Sequence, residues 1–325
     1  MTEPMEPLTD SARDLRRNFD EQIAEHREGL WRYCLKLTGN PWDAEDLVQD
    51  TLLKAFGRLS FYWQPIDLRA YLFRIASNAW IDTWRRMRPT EPLDACEPAA
   101  LDTAGEDAVT TRDAIRVVVD ALPPRQRVIF LLTEAFGFAA ADVGGMLGMS
   151  EGAVKAARHR ARGNLAARSG ERRANEAERG GMHAVVERYL DAFNRRDVDA
   201  LTALFAEDAV NEIVGSADEI GVDVMRRNSL AEWLEEPHPH RAERHEVFGR
   251  EVLLVFEHDG VADALVWMIM PRVEDGLIRS QRIYCFCQEL VTAVAAEIGV
   301  PARPRGHWYG QPSTSGRVAS SREGN

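Results

Sequence analysis

Apolar positions recur along this chain in three blocks, separated by two stretches without periodicity. In the first block, residues 12–88, Phe19, Ile23, Leu30, Cys34 and Leu37 fall at helical spacing, and Gly39-Asn40-Pro41 stops that helix. A second helix is predicted over 43–59, with Ala44, Leu47, Val48, Leu52, Ala55 and Phe56 on one stripe. After Pro65, Asp67 is placed to cap a third, carrying Leu68, Leu72, Ile75 and Ala79. Residues 89–111 hold Pro89, Pro92, Pro98 and many acids, and read as a linker. The second block, 112–168, is helical again. Pro123-Pro124 opens a helix with Val128, Leu131, Leu132 and Ala135 inward and Gly137 at its end. A short helix over 140–147, the turn Gly148-Met149-Ser150 and a longer helix from Glu151 follow.

Residues 169–181 form a second linker, and the third block, 182–310, changes character. Two amphipathic helices lead it, one with Val185, Val186, Tyr189, Leu190 and Phe193, the other with Val198, Leu201, Leu204 and Phe205. Three β-rich runs follow at 245–257, 261–271 and 277–287. Their joints are His258-Asp259-Gly260 and Glu274-Asp275-Gly276, and Asp-Gly between apolar runs is a strong hairpin signal. Helices first and a curved antiparallel sheet after make an α+β layout. The tail from 311 is polar and is expected to be disordered.

Composition refines this picture. In 325 residues, a 45% hydrophobic fraction supports packed cores in more than one domain. No apolar run reaches the roughly 20 residues of a membrane span, and the N-terminus lacks the features of a signal peptide. The four cysteines, Cys34, Cys96, Cys285 and Cys287, are scattered. They read as reduced thiols of a cytoplasmic protein, with no metal or cofactor site expected. A net charge of −12 argues on its face against nucleic acid. Charge acts locally, however, being screened beyond roughly 8–10 Å, and here it is segregated. Lys155, Arg158, Arg160, Arg162, Arg168, Arg172 and Arg173 crowd one stretch, and Arg85, Arg86 and Arg88 another, while acids collect over 94–113 and in the last third.

Residues 138–165 have a helix–turn–helix pattern. Gly148 sits where a left-handed residue is needed, Ser150 caps the second helix, and a glycine at 144 suits a close crossing. Exposed positions at the start of that second helix, where Ser150 and Glu151 stand, are candidates to face base edges, and Lys155, Arg158, Arg160 and Arg162 to reach phosphates, with His159 in the same DNA-binding set. In the first block Asp43, Asp46 and Asp50 share one helix face, with Gln49 beside it. On the third helix Asn78, Trp80, Asp82, Trp84, Arg85 and Arg86 combine amide, aromatic and cationic groups. Such a set suits unstacked bases, a flipped base and single-strand phosphates.

These residues resemble a known family. Leu122-Pro123-Pro124-Arg125-Gln126-Arg127, the helix–turn–helix, Ala153-Val154-Lys155 and His159-Arg160-Ala161-Arg162 look like the fourth region of extracytoplasmic-function sigma factors. The run from Asp43 to Thr51, and Tyr71 to Asn78 with Asp82 and Arg85-Arg86, are similar to their second region. The chain departs from the family at Ala157-Arg158, usually Arg-Leu, and at Gly144-Gly145, usually Ala-Glu. The resemblance implies a factor without chemistry of its own that binds core RNA polymerase and promoter DNA. It assigns Asp43, Asp46, Gln49 and Asp50 to the polymerase, the 78–86 set to the −10 element, and the set from Ser150 to Arg162 to the −35 element.

The third block resembles the SnoaL-like group of the nuclear-transport-factor-two superfamily, through its layout and the run from Tyr189 to Asp197. That implies a cone-shaped α+β fold with an internal cavity, room for a small ligand and a regulatory role. Some members of the group are enzymes, which makes Glu212, Asp223, His240 and Tyr284 candidates, although nothing in the sequence orders them into an acid–base pair. The segment after Cys287, with Leu290, Val294, Ile298, Trp308 and Tyr309, is apolar enough to pack back on the fold. Two rival readings remain at this stage: a helix–turn–helix activator that binds DNA alone, and a DNA-binding module fused to a SnoaL-like enzyme.

Overall fold

The computed structural model describes residues 6–59, 66–87, 122–166, 183–258 and 260–306. Both linkers, the tail, Arg88, Cys96, Arg168, Arg172, Arg173, Asp259, Trp308 and Tyr309 lie outside the described residues. The chain forms two compact units, residues 18–174, and residues 175–325 together with 1–17; each is described by itself.

In the unit of residues 18–174, helices α1 (Glu6–Thr38), α2 (Pro41–Leu59) and α3 (Leu68–Met87) carry the first block. Phe19, Ile23, Leu30, Cys34 and Leu37 are buried along α1, as the periodicity requires. The Asn40 side chain accepts the Trp42 amide at 2.9 Å to start α2, and Asp67 accepts the Ala70 amide at 3.0 Å to start α3. The second block comprises α4 (Pro124–Phe130) running into a π-helical turn at Leu131–Ala135, then α5 (Ala140–Leu147) and α6 (Glu151–Ala166). Val128, Leu131 and Leu132 are buried. Ala135, expected inward, is exposed, because the π-turn shifts the phase of the last residues.

The two helical blocks pack on one another within this unit. Phe73 of α3 lies 5.2 Å from the Phe136 ring and 5.3 Å from the Phe138 ring, and Tyr33 of α1 meets Phe136 edge-on at 5.2 Å. Arg69 donates to the Phe136 carbonyl at 2.6 Å, and Arg127 to the Leu37 carbonyl at 3.0 Å. Aromatic contacts of this kind add roughly 0.5–1.5 kcal/mol each beyond area burial.

The other unit contains α7 (His183–Asn194), α8 (Val198–Thr202), β1 (Phe205–Ile213), β2 (Ala217–Ile220), α9 (Val222–Arg227), α10 (Ser229–Glu235), β3 (His240–Val247), β4 (Arg250–His258), β5 (Asp263–Glu274), β6 (Leu277–Ile283) and α11 (Gln288–Ile298). Among the described residues its six-stranded sheet runs β2-β1-β6-β5-β4-β3. The expected antiparallel sheet is corrected at one pairing, since β1 and β6 run parallel. The helix expected through Leu204 and Phe205 ends at Thr202. From there the chain enters β1, where β6 supplies backbone partners: Ile278 donates to the Leu204 carbonyl at 2.8 Å. The run 245–257 is also not one strand. It folds at Phe248-Gly249, with φ of +53° and +76°, into the β3–β4 hairpin. Asp275-Gly276 makes the expected β5–β6 turn with φ of +52° and +76°. Helix α11 buries Leu290, Val291, Val294 and Ala295, and it packs on β5 and β3 of its own unit.

Candidate functional site

On α3, Asn78, Asp82, Arg85 and Arg86 recur at i, i+4, i+7 and i+8 and are all exposed, so they form one polar, cationic face. Asp82 accepts from Arg85 at 3.2 Å, and Arg86 reaches the Asp82 carbonyl at 3.3 Å and the Thr83 hydroxyl at 3.1 Å. The two tryptophans grouped with them lie across the helix. Trp80 is only 8% exposed, with the Arg127 guanidinium 5.1 Å from its ring centroid, and Trp84 is half-buried. Residues 80 and 84 are half a turn away from 78 and 82, which carries their rings to the packed side. As the protein stands, Trp80 is therefore not available to unstacked bases, contrary to the expectation for it.

On α2, Asp43 is exposed and Asp46 and Asp50 are half-buried on the same side; Lys54 donates to Asp50 at 2.6 Å. Gln49 is corrected: it is buried and donates to Glu45 at 2.7 Å. Glu45 is itself buried, with Arg27 of α1 at 3.3 Å. Four residues beyond Glu45, Gln49 shares that carboxylate's inward stripe rather than the acidic face. Leu53, 59% exposed, was not singled out by periodicity. It stands one and two turns beyond Asp50 and Asp46, an apolar group on an acidic face.

The helix–turn–helix has the expected joints. Gly148 is left-handed with φ of +65°, Met149 donates to the Gly144 carbonyl at 2.9 Å, and the Ser150 hydroxyl accepts the Ala153 amide at 3.2 Å. A Cβ at Gly144 would lie 2.6 Å from the Met149 carbonyl oxygen, so the turn closes against bare backbone there; at Gly145 it would meet nothing. Val154, Ala157 and Ala161 bury the inner side of α6. Glu151, Lys155, His159 and Arg162 fall on its outer side, Arg158 is half-buried at the edge of the inner side, and Ser150 is exposed at the start of the helix. Arg160, exposed, projects half a turn away from Arg158 and Arg162, so the four cations do not form one row. Two of the four are held by Glu134 of the π-turn, which the sequence did not mark: Arg162 at 2.7 Å and Arg158 at 3.6 Å. Lys155 pairs with Glu151 at 2.6 Å. No local spacing joins Glu134 to Arg162; tertiary packing brings them together.

In the other unit the four enzyme candidates are not brought together. Glu212 accepts two bonds from Arg282, at 2.9 and 3.0 Å, and Arg282 donates to the Tyr284 hydroxyl at 3.0 Å. Asp223 is exposed. His240 is buried, its Nε2 3.2 Å from Glu236 and 3.6 Å from Glu257, its ring 4.2 Å from Trp267. Burial, and after it the Arg305 guanidinium, pushes the imidazole down to about 4. None of the four lines the cavity of about 120 Å³ walled by Tyr189, Phe193, Trp233, Trp267 and Gln281. Cys285, on that wall, is buried, and its thiol is pushed up to about 12 by burial. Among the described residues no His/Cys/Asp/Glu group could hold a metal ion, and no helix is long and apolar enough to cross a membrane.

Three family models match the chain: Sigma-70 region 2 over residues 22–90, Sigma-70 region 4 over 112–165, and the SnoaL-like domain over 186–281. The ECF RNA polymerase sigma factor SigG of Mycobacterium tuberculosis is 30% identical over 234 residues, which are 62% of this chain and 63% of SigG. The chain thus spans somewhat less than two thirds of that relative. The ECF RNA polymerase sigma factor EcfG of Rhodopseudomonas palustris is 33% identical over 163 residues, 50% of this chain and 86% of EcfG. Among solved structures, the sigma factor RpoE of Bartonella quintana, in complex with the anti-sigma factor NepR, is 26% identical, with a TM-score of 0.37 over 46% of this chain and 94% of that one.

Proposed function

The chain belongs to the ECF RNA polymerase sigma factors, and we propose that it binds core RNA polymerase through the outer side of α2 and carries it to promoters. In this reading the Asn78/Asp82/Arg85/Arg86 face of α3 meets the −10 element and the outer side of α6 meets the −35 element. The observation that carries it is the division of labour within one unit: an acidic face on α2 and a cationic amide-bearing face on α3, beside a helix–turn–helix. An activator that binds DNA alone needs only the last of these. Work with the polymerase places the protein in the cytoplasm. The SnoaL-like unit serves as a regulator and its cavity as the seat of a small ligand, rather than as a catalytic site. Supporting this, Glu212, Asp223, His240 and Tyr284 stand outside the cavity wall, and two of them are tied up with Arg282.

The test is a pull-down of core polymerase by the full chain and by its Asp46→Lys/Asp50→Lys form. Both carboxylates are partly exposed, and losing the Asp50–Lys54 pair costs only a few tenths of a kcal/mol. The variant should therefore keep its circular dichroism spectrum and bind about tenfold more weakly or worse. Undiminished binding by the folded variant would remove the polymerase from this face.

A further inference from the structure

The ladder between β5 and β6 begins at Ile269 and Ile283, which leaves the earlier residues of β5 without β6 beside them. The segment after α11 fills that edge. Gly299 ends the helix with φ of +73°. The Leu265 amide then donates to the Pro301 carbonyl at 2.8 Å, and the Arg303 amide to the Leu265 carbonyl at 2.8 Å. Residues 299–306 thus form a strap along β5, and side chains complete its fastening. Arg303 donates to Glu257 of β4 at 2.9 Å. Arg305 donates to Glu236, just past α10, and its guanidinium lies 4.2 Å from the Trp267 ring centroid.

Between those two carboxylates stands His240, the first residue of β3, with its side chain buried. Its Nε2 is 3.2 Å from Glu236 and 3.6 Å from Glu257. Arg196 adds another cation near the ring, held by the Trp233 and Leu234 carbonyls at 2.6 and 2.8 Å. On the other flank Asp263 pairs with Arg241 at 2.7 Å and with His258 at 2.9 Å, so that group balances itself. The surroundings of His240 therefore hold the guanidiniums of Arg196, Arg303 and Arg305 against the carboxylates of Glu236 and Glu257. A proton on the imidazole would bury a further positive charge where cations already outnumber anions, which is costly.

We propose that residues 299–306 are a proton-released strap: a proton on His240 draws Glu236 and Glu257 to the imidazolium, and the pairs with Arg303 and Arg305 let go. Release bares the edge of β5 at Leu265 and the face of Trp267, giving the unit a second state. The linkage is reciprocal, since a closed strap that disfavours the proton must be disfavoured by it. Burial, and after it Arg305, hold the imidazole down at about 4. If opening restored the ordinary 6.5 in full, the open fraction would rise about thirtyfold at pH 5. That is the ceiling, because β4 and β5 still cover the ring. The strap goes beyond the regulator reading above. It requires neither a cavity ligand nor contact with polymerase or DNA, so its failure leaves that reading standing.

Hydrogen exchange on the full chain tests it, with rates corrected for the intrinsic effect of pH. Between about pH 7 and pH 5 the Leu265 and Arg303 amides should lose protection severalfold, and at most about thirtyfold. The amides of the β3–β4 ladder should keep theirs. His240→Gln has no proton to take up and should hold its protection throughout. Constant protection in the wild type, or an equal fall in His240→Gln, would overturn the strap. So would a loss spread evenly over β3–β4, which would mean that the whole unit opens. Should His240→Gln not fold, Arg305→Gln decides from the other side. Without that cation the His240 titration, followed by nuclear magnetic resonance, should move up from about 4; an unmoved titration would break the link between strap and proton.

Discussion

Gly144 and Gly145 are adjacent in one short helix, yet their surroundings give opposite expectations. A glycine inside a helix costs about 1 kcal/mol relative to alanine, so Gly145→Ala, whose Cβ meets nothing, should stabilise this unit by roughly 0.5–1 kcal/mol. Gly144→Ala drives its Cβ to 2.6 Å from a backbone oxygen and should destabilise by roughly 1–2 kcal/mol, even after the gain in propensity. Urea unfolding of the two variants checks the signs; equal effects would mean the turn yields. His240 gives a pH dependence. Its folded value of about 4 lies below the 6.5 of an unexposed-to-partners histidine, so as the pH falls the unfolded chain takes up the proton first. The stability this contributes is complete above about pH 6.5 and is lost as the pH falls to about 4. The groups facing the ring are Glu236 and Glu257, with Arg305 and Arg196 opposing protonation. Thermal unfolding of His240→Gln should show a flatter slope between pH 6.5 and 4 than the wild type; parallel curves would put the imidazole's proton elsewhere.

At the scale of the element, α6 is the clearest case. Lys155 and Arg162 share its outer side, and each is restrained only by an exposed carboxylate pair worth about 0–1 kcal/mol. Phosphate can therefore displace Glu151 and Glu134. Lys155→Ala and Arg162→Ala should weaken promoter binding on every sequence alike, each reducing the salt slope by about 0.9. Glu134→Gln should strengthen it, by at most roughly fivefold. Arg160→Ala, across the helix, should matter least. Filter binding over a range of salt distinguishes these outcomes, and a sequence-selective loss with Lys155→Ala would mean that this lysine reads bases. Helix α3 shows the same principle in reverse. Its polar face at 78, 82, 85 and 86 is legible from spacing alone, and the same spacing sets Trp80 half a turn away; what only packing supplies is the Arg127 guanidinium beside its ring.

For the whole molecule, the relevant fact is that one chain joins a unit matched by Sigma-70 regions 2 and 4 to a SnoaL-like unit with a core of its own. A tethered unit acts at an effective concentration near the millimolar range, so even weak contacts count. A chain ending at residue 181 should give promoter output different from that of the full chain at matched protein levels. Equal output in a reporter would remove the regulatory role. Cutting after 288 instead is a poor probe of that role, because α11 packs on the sheet of its own unit, and its loss should unfold that unit.

The sequence by itself determined the elements whose signals are local. These are the helices of residues 18–166, their caps at Asp67 and Ser150, the left-handed Gly148, the Asp275-Gly276 turn and the family-bearing motifs, because capping, periodicity and positive φ are decided within a few residues. It left undetermined whatever depends on partners distant along the chain. Strand β1 looked like the end of a helix because its pairing with β6 lies some 70 residues on, and β3–β4 looked like one strand because Phe248 gives no sign of a left-handed turn. Gln49 follows Glu45 of its own helix to an inner side where only packing brings Arg27, and only packing puts Glu134 within reach of Arg162. The cavity belongs to the same class: its wall draws on α7, β1, α10, β5 and β6, and it exists only once those elements enclose it.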